Sequence, residues 1–185
     1  MKSVQVMDLE SLRAAVERGE SFEYLFFWGH RPRKDHKLGP SCLSQWWRCA
    51  FDLDGQRYSS AEQYMMAEKA RLSGDAEALA VILSADEPGR IKALGRQVRG
   101  FDEARWTAAR FDIVVRGSTA KFGQDEHLRR YLLGTRESVL VEASPTDRIW
   151  GIGLAADDPR ARDPHAWLGE NLLGFALMRA RESLR

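Results

Sequence analysis

The chain has 185 residues, of which 44% are hydrophobic, 10% aromatic and 30% charged, with a formal net charge of +1. This length fits one domain with a sizeable core, and the balanced charge gives no indication of a nucleic-acid or membrane partner, although a local basic patch is compatible with it. No apolar run approaches the ~18 residues of a membrane span, and no secretory hydrophobic region follows Met1, so we expect a cytoplasmic protein.

Hydrophobic patterning and capping residues predict a helix, a strand and a hairpin in the first third of the chain. The helix covers residues 8–19, the strand covers 22–28, and the hairpin strands cover 46–51 and 56–58. Asp54-Gly55 between the hairpin strands is a strong turn signal. The polar segment 29–41, which contains prolines and a glycine, is predicted to be a loop.

The rest of the chain is mostly helical in prediction, with one apolar strand over 139–143. Helices are predicted over 60–72, 74–84, 88–95, 101–120, 125–133 and 171–184. The predicted fold class is therefore α+β, a compact and mostly helical single domain with a small β-sheet. We expect residues 1–21 to form an N-terminal helical extension and residues 22–185 to form the main domain.

Two charged residues interrupt the apolar face of the helix predicted over 60–72. Glu62 and Lys69 lie near the centre of that face, seven residues and therefore ~10 Å apart along the helix axis. This distance is too long for an ion pair, but it suits two groups that face one cavity, and buried charges need a partner or a role. The flanking apolar side chains are Ala61, Met65 and Leu72 on one side, and Met66 and Ala70 on the other.

Glu62 has an alternative role at the helix N-terminus. Ser59 with Glu62, and Ser60 with Gln63, both fit a capping box, in which the acidic side chain binds a backbone amide. Lys69 is informative for a different reason, because only six of the 28 basic residues are lysines. Because most basic residues of this chain are arginines, a lysine inside a patterned segment is a candidate for a catalytic role.

The turn-rich segment after the strand at 139–143 contains further candidates. Gly151 and Gly153 permit close backbone approach to a ligand, Asp147 can accept from ribose hydroxyls or hold a water molecule, and Trp150 can stack on a base. The alternative is a turn with a core tryptophan. Asn171 is a candidate ligand-binding residue or simply the cap of the last helix.

Aromatic and polar side chains elsewhere complete the candidate site. Ser44 and Gln45 beside Trp46 suit a nucleobase, although a tryptophan-rich core strand explains them equally well. Trp106 is a candidate for substrate contact, with core packing as its alternative. Arg96 is a candidate phosphate donor or an ordinary surface charge.

The sequence contains no recognisable metal, triad or nucleotide-phosphate motif. Cys42 and Cys49 are separated by six residues, which is not a zinc spacing, and we expect both to be reduced apolar filler. G-x-S-x-G, H-E-x-x-H and P-loop patterns are absent, so neither a metal nor another cofactor is predicted. The four histidines share no metal or triad spacing: His30, His36, His127 and His165.

An ordered set of motifs resembles the NADAR family, also called YbiA-like, over residues 22–185. The motifs are LSQW at 43–46, DG at 54–55, YSSAEQYMMAEKA at 58–70, LGR at 94–96, FD at 101–102, KF at 121–122, LVEAS at 140–144, IWGIG at 149–153, WLGENLLG at 167–174 and LM at 177–178. The resemblance implies a mostly helical α+β fold and N-glycosidase activity. It also implies that the family's functional glutamate, lysine, tryptophan and acidic residue fall on Glu62, Lys69, Trp106 and Asp147.

Two substrate classes follow from the resemblance. One is ADP-ribose attached to guanine in DNA or RNA, and the other is the phosphoribosylamino-pyrimidine intermediates of riboflavin synthesis. In both, ribose C1 is joined to an exocyclic amine, which a lysine can replace through a Schiff base if its pKa is depressed. Ile152 between the two glycines and the longer loop at 154–165 differ from the YbiA type, which favours ADP-ribosyl-guanine.

Two other classes of function remain open at this point. One is a module that binds ADP-ribose or NAD without cleaving it. The other is an interaction domain in which the Glu62–Lys69 face is buried against another helix and no cavity exists. For a polymeric substrate, a basic patch is needed, and the candidate patch lies in the loop before Trp46, although a solvated loop explains it as well. Its residues are Arg31, Arg33, Lys34 and Lys37.

Overall fold

A computed structural model describes residues 6–32, 34–35 and 37–185 of the chain. The first five residues of the predicted extension, together with Arg33 of the candidate basic patch and His36, lie outside the described residues. The helices are α1 (Leu9–Glu17), α2 (Ala61–Ser73), α3 (Ala76–Ser84), α4 (Pro88–Arg96), α5 (Glu103–Gln124), α6 (Glu126–Gly134) and α7 (Leu172–Ser183). The strands are β1 (Tyr24–Phe27), β2 (Arg48–Leu53), β3 (Gln56–Ser60) and β4 (Val139–Glu142).

Short polar side chains fix where most helices begin. Each accepts a hydrogen bond from a backbone amide in the first turn, which would otherwise lack a partner. These N-caps explain why the helix starts predicted from the sequence lie within a few residues of the observed ones. They are Asp8, Ser60, Asp75, Asp102 and Asp125.

The predicted strands form two separate two-stranded sheets rather than one small sheet. β2 and β3 form the predicted antiparallel hairpin, in which Asp54 and Gly55 both have positive φ, as the tight turn requires. β1 pairs in parallel with β4, from Tyr24 opposite Val139 to Phe27 opposite Glu142. This parallel pair brings the ends of two strands together although they are over a hundred residues apart in sequence.

Helix α2 is the centre of the molecule. It contacts α3, α4, α5 and β3, so its first seven residues, together with Ala70, are all buried. The prediction of one apolar stripe on this helix was therefore too narrow, because neighbours cover it on nearly every side. Gly117 of α5 allows the close approach of the two helices, since a Cβ there would lie 2.5 Å from a ring carbon of Tyr64.

The N-terminal helix packs onto the domain rather than standing apart from it. Leu12 and Ala15 of α1 are completely buried, and the Arg13 side chain donates to the backbone oxygen of Pro164. The short 3-10 helix Pro164–Ala166 contacts α1, and a preceding 3-10 helix, Pro159–Arg162, packs against it. Within the described residues, none of the helices combines the length and apolar character that crossing a membrane requires.

Candidate active site

A cavity of about 900 Å³ lies where β1 and β4 end, between α2 and α4. Ligands commonly bind at the carboxyl ends of parallel strands, because the loops that follow converge there. Segments from most of the chain contribute to the wall. Nine of the predicted site residues line this cavity: Ser44, Gln45, Trp46, Glu62, Lys69, Arg96, Trp106, Asp147 and Trp150.

Glu62 is buried in the cavity wall and does not cap α2. The cap is Ser60, which accepts from the Gln63 amide, while the Gln63 side chain accepts from the Ser59 amide. The Glu62 carboxylate is therefore not used in the helix cap, and its Oε1 atom is buried with no hydrogen-bond donor among the described residues. Burial raises the pKa of Glu62 to about 7, against the opposing effects of the Lys92 charge and a hydrogen bond from Trp46.

Lys69 also lines the cavity, where it is half-buried between aromatic rings. Its Nζ atom is 4.3 Å from the ring centroid of Phe101 and 6.0 Å from that of Trp106. Burial, and secondarily the positive charge of Arg96, lower the pKa of Lys69. A lowered pKa increases the fraction of neutral amine, which is the nucleophilic form.

Asp147 divides its carboxylate between the loop and the cavity. Its Oδ1 atom accepts from the backbone amides of Ile149 and Trp150, at 2.9 and 2.8 Å, and this turn fixes the tryptophan. The Asp147 amide in turn donates to the Ser144 hydroxyl. One carboxylate oxygen is thus structural, and only the other is available to a substrate.

Ser44, Gln45 and Trp46 are held in place by interior contacts. Lys121 of α5 is fully buried and donates from Nζ to the backbone oxygens of Cys42 and Ser44, at 2.7 and 2.8 Å. The Gln45 backbone oxygen accepts from the Glu62 amide, so this segment is attached directly to the start of α2. The Trp46 ring is thereby fixed at the cavity.

Three predicted substrate-binding residues are not among those that line the cavity. A Cβ at Gly151 would lie 2.8 Å from the Glu142 backbone oxygen, so its close approach is to the protein itself. Gly153 has φ +69° and packs against Leu168. The Asn171 side chain is completely buried, and it binds backbone groups of β4 rather than a ligand.

Four residues that the sequence did not single out also line the cavity. Glu142, at the end of β4, is half-buried with its Oε2 atom enclosed, and burial together with the nearby Asp147 charge raises its pKa to about 8. Lys92 lies over the Trp46 ring, with Nζ 5.7 Å from its centroid, and His30 packs against the same ring at 5.3 Å. Trp28 remains 61% exposed at the rim. The sequence offered a signal for Lys92, because it is one of only six lysines, but none for the other three residues.

The cavity contradicts the alternative in which the Glu62–Lys69 face is packed dry against another helix. Three carboxyl groups, two lysines and several aromatic rings converge on a space large enough for a nucleotide-sized ligand. Acid, base and nucleophile are the parts that a hydrolytic site requires.

Known proteins are similar to this chain over most of its length. The NADAR domain model matches residues 26–185. The N-glycosidase R617 of Acanthamoeba polyphaga mimivirus is 42% identical over 168 residues, which cover 88% of this chain and 97% of that protein. The chloroplastic riboflavin biosynthesis protein PYRR of Zea mays is 30% identical over 133 residues, which cover 70% of this chain and 19% of that protein.

A solved structure confirms the fold class. The NMR structure of the Escherichia coli protein YbiA has a TM-score of 0.70 to this chain at 24% identity, covering 89% of this chain and 86% of YbiA. The compact, mostly helical α+β architecture is therefore shared.

Proposed function

The chain belongs to the NADAR family, and we propose that this N-glycosidase hydrolyses the bond between ribose C1 and an exocyclic base amine. The observation that carries the proposal is the convergence of half-buried Lys69 and buried Glu62 on one cavity. The depressed pKa of Lys69 supports its role as nucleophile, and a Glu62 pKa near neutrality supports proton transfer in both directions.

The proposed reaction proceeds through a covalent intermediate. The ribosylamine ring opens to an imine, and the neutral Lys69 amine adds to C1. The C1–N bond to the base then breaks, the base leaves as a protonated amine, and the sugar remains on Lys69 as a Schiff base. Water adds to C1 and releases the sugar, with Glu62 carrying protons and the free oxygen of Asp147 orienting a ribose hydroxyl or the water.

The preferred substrate is ADP-ribose attached to guanine in nucleic acid. A cavity of about 900 Å³ is near the upper end of the range for small-molecule sites, which suits a dinucleotide-sized group. Trp46, Trp106 and Trp150 offer rings for bases, and Arg96 offers a donor for phosphate oxygens. The similarity to the maize riboflavin biosynthesis protein favours a second candidate, the phosphoribosylamino-pyrimidines of that pathway.

Base release and chemical trapping test the proposal together. ADP-ribosylated guanosine, free and within an oligonucleotide, and the riboflavin intermediates should be incubated with the enzyme, and the liberated base should identify the substrate. Borohydride added during turnover should leave a sugar adduct on Lys69. The matched control is Lys34→Arg, since Lys34 is exposed and outside the cavity and arginine keeps the positive charge of the candidate basic patch.

Three outcomes separate the alternatives. Stoichiometric binding without base release from any substrate would indicate a binding module. Near-normal turnover by Lys69→Arg would eliminate the covalent route and leave direct attack by water, with Glu62 or Asp147 as the base. Loss of both turnover and trapping in Lys69→Arg, with full activity in Lys34→Arg, is the result we expect.

A further inference from the structure

Glu142 occupies a position in the cavity wall that folding alone does not explain. It is the last residue of β4, and the pairing of that strand with β1 directs it to the cavity at the strand ends. Its backbone amide is satisfied by the Asn171 side chain, but its Oε2 atom is buried without a hydrogen-bond donor among the described residues. A buried carboxyl oxygen without a donor is costly, so a role in the site is the natural explanation.

Glu62 presents the same irregularity in the same cavity. Its Oε1 atom is likewise buried and has no donor in the described part of the chain. The two carboxyl groups interact, since the negative charge of Glu62 is one of the influences that raise the pKa of Glu142. Two ionised carboxylates are only acceptors, whereas a proton held by one of them supplies a donor. Close carboxyl pairs in enzymes separate into one acid and one base for this reason.

Two charged groups of the cavity act on both carboxyl groups. Lys92 of α4 is the cation that acts on both carboxyl groups, while Asp147 raises the pKa of each. The titratable and charged groups that line the cavity beside the pair are His30 from the segment after β1, Lys69 from α2, Lys92 and Arg96 from α4, and Asp147 and Arg148 from the loop after β4.

We propose that Glu142 is a second catalytic carboxyl group, protonated while Glu62 is ionised, and that it donates its proton to the base amine as the C1–N bond breaks. This inference rests on the proposed N-glycosidase function. Glu62 first takes a proton from Lys69 as that amine adds to C1 and passes it to the imine nitrogen of the base, so that Glu62 is ionised again. The electron pair of the C1–N bond then leaves with the base nitrogen, which receives the Glu142 proton, and the nitrogen of Lys69 forms the C=N bond.

The second half of the cycle restores both carboxyl groups. Water adds to C1 of the Schiff base, and the proton that it loses returns to Glu142. Collapse of the carbinolamine transfers a proton from the new hydroxyl group, by way of Glu62, to Lys69, which leaves as the neutral amine. Each carboxyl group ends in the state in which it began, and the net reaction is hydrolysis without any other reactant.

The test compares Glu142→Gln with Glu62→Gln and with Glu137→Gln, an exposed glutamate outside this cavity. For Glu142→Gln we expect kcat to fall ~10²-fold or more, which is the size of a general-acid contribution, with KM within about threefold of the parent value. The alkaline limb of the parent pH–rate profile should disappear in this variant, while Glu62→Gln should lose the acid limb. Glu137→Gln should retain the parent kcat and profile.

A readout without turnover separates this inference from the proposed function. ¹³C NMR of labelled glutamate side chains should show a carboxyl group in the parent that titrates above pH 7 and that is missing in Glu142→Gln. If the parent releases no base but shows this titration, the proposed function fails, whereas the protonated state of Glu142 is supported. Parent-like kcat and pH profile in a folded Glu142→Gln, or the absence of that titration from the parent spectrum, overturns the inference.

Discussion

The Asn171 side chain holds Glu142 in place from the start of α7. Its Oδ1 atom accepts from the Glu142 amide at 2.9 Å, and its Nδ2 atom donates to the Leu140 backbone oxygen at 2.9 Å. Asn171 has φ +55°, a conformation that asparagine adopts more readily than most residues. One amide group thus replaces a missing strand neighbour on the outer side of β4, and the candidate acid of the site depends on it.

We expect Asn171→Ala to destabilise the protein by about 2 to 4 kcal/mol. The substitution leaves one backbone donor and one acceptor of β4 buried without partners, and each such group costs about 1 to 3 kcal/mol. Urea unfolding followed by circular dichroism measures the free energy of unfolding. Gln97→Ala, an exposed change at the end of α4, is the control and should stay within about 0.5 kcal/mol. A change of that small size in Asn171→Ala would contradict the structural role.

The helices and their caps could be predicted from sequence because they depend on neighbours in the chain. Asp8 and Ser60 cap their helices as the local pattern indicated. Glu62 and Lys69 were also visible, since a charge on an apolar helical face stands out within one segment.

The residues that were missed depend on long-range pairing. Glu142 ends a four-residue strand, where a charged residue is unremarkable, and only the pairing of β1 with β4 brings it opposite α2. Asn171 was assigned to the substrate because its local pattern suits a cap or a ligand, whereas its partners Leu140 and Glu142 lie about thirty residues earlier. Such partners are set by the tertiary fold, which local periodicity does not report.

The stability of the protein should depend on pH through Glu62. Its pKa in the folded state, about 7, lies above the ordinary value of 4.5, so the folded state binds the proton more tightly than the unfolded chain. The contribution of this group is therefore complete below about pH 4.5 and is lost as the pH rises through 7. At 1.36 kcal/mol per pKa unit, the loss is roughly 3 kcal/mol.

Glu62→Gln removes this titration, so its stability relative to the parent should increase by up to about 3 kcal/mol between pH 5 and pH 8. Urea unfolding of both proteins at the two pH values gives the difference, and the effects of titrating groups that do not interact with Glu62 cancel. The variant should lose activity while it gains stability at pH 8, as expected where a carboxylate is kept buried for function. A stability difference that does not change with pH would mean that Glu62 titrates normally.

Trp28 should distinguish a polymeric substrate from a free nucleotide. It follows β1 at the cavity rim and is 61% exposed, so it has no evident role in the core. If it stacks on a base that neighbours the modified guanine, Trp28→Ala should lower kcat/KM for the oligonucleotide substrate about 5- to 150-fold, the equivalent of ~1 to 3 kcal/mol of stacking. The free nucleoside substrate should be cleaved at nearly the parent rate.

The control for this measurement is Val81→Ala, which removes part of an exposed apolar side chain from α3, away from the cavity. It should affect neither substrate. An equal loss on the free and polymeric substrates in Trp28→Ala would place the indole against the modified nucleotide itself. An unchanged kcat/KM on both would remove Trp28 from recognition altogether.

Alanine substitution at two helical glycines should change the stability of the protein in opposite directions. Gly117→Ala places a Cβ 2.5 Å from the buried Tyr64 ring between α5 and α2, and overpacking of this kind costs about 1 to 3 kcal/mol, against a gain of at most ~1 kcal/mol in helix propensity. Gly134→Ala, at the end of α6, meets no heavy atom of the described residues within 4 Å and should be neutral or stabilising by up to ~1 kcal/mol. Thermal unfolding measures both.

Because Tyr64 shares α2 with Glu62 and Lys69, Gly117→Ala should also lower activity. A fully active and stable Gly117→Ala would mean that α2 and α5 can separate without disturbing the site.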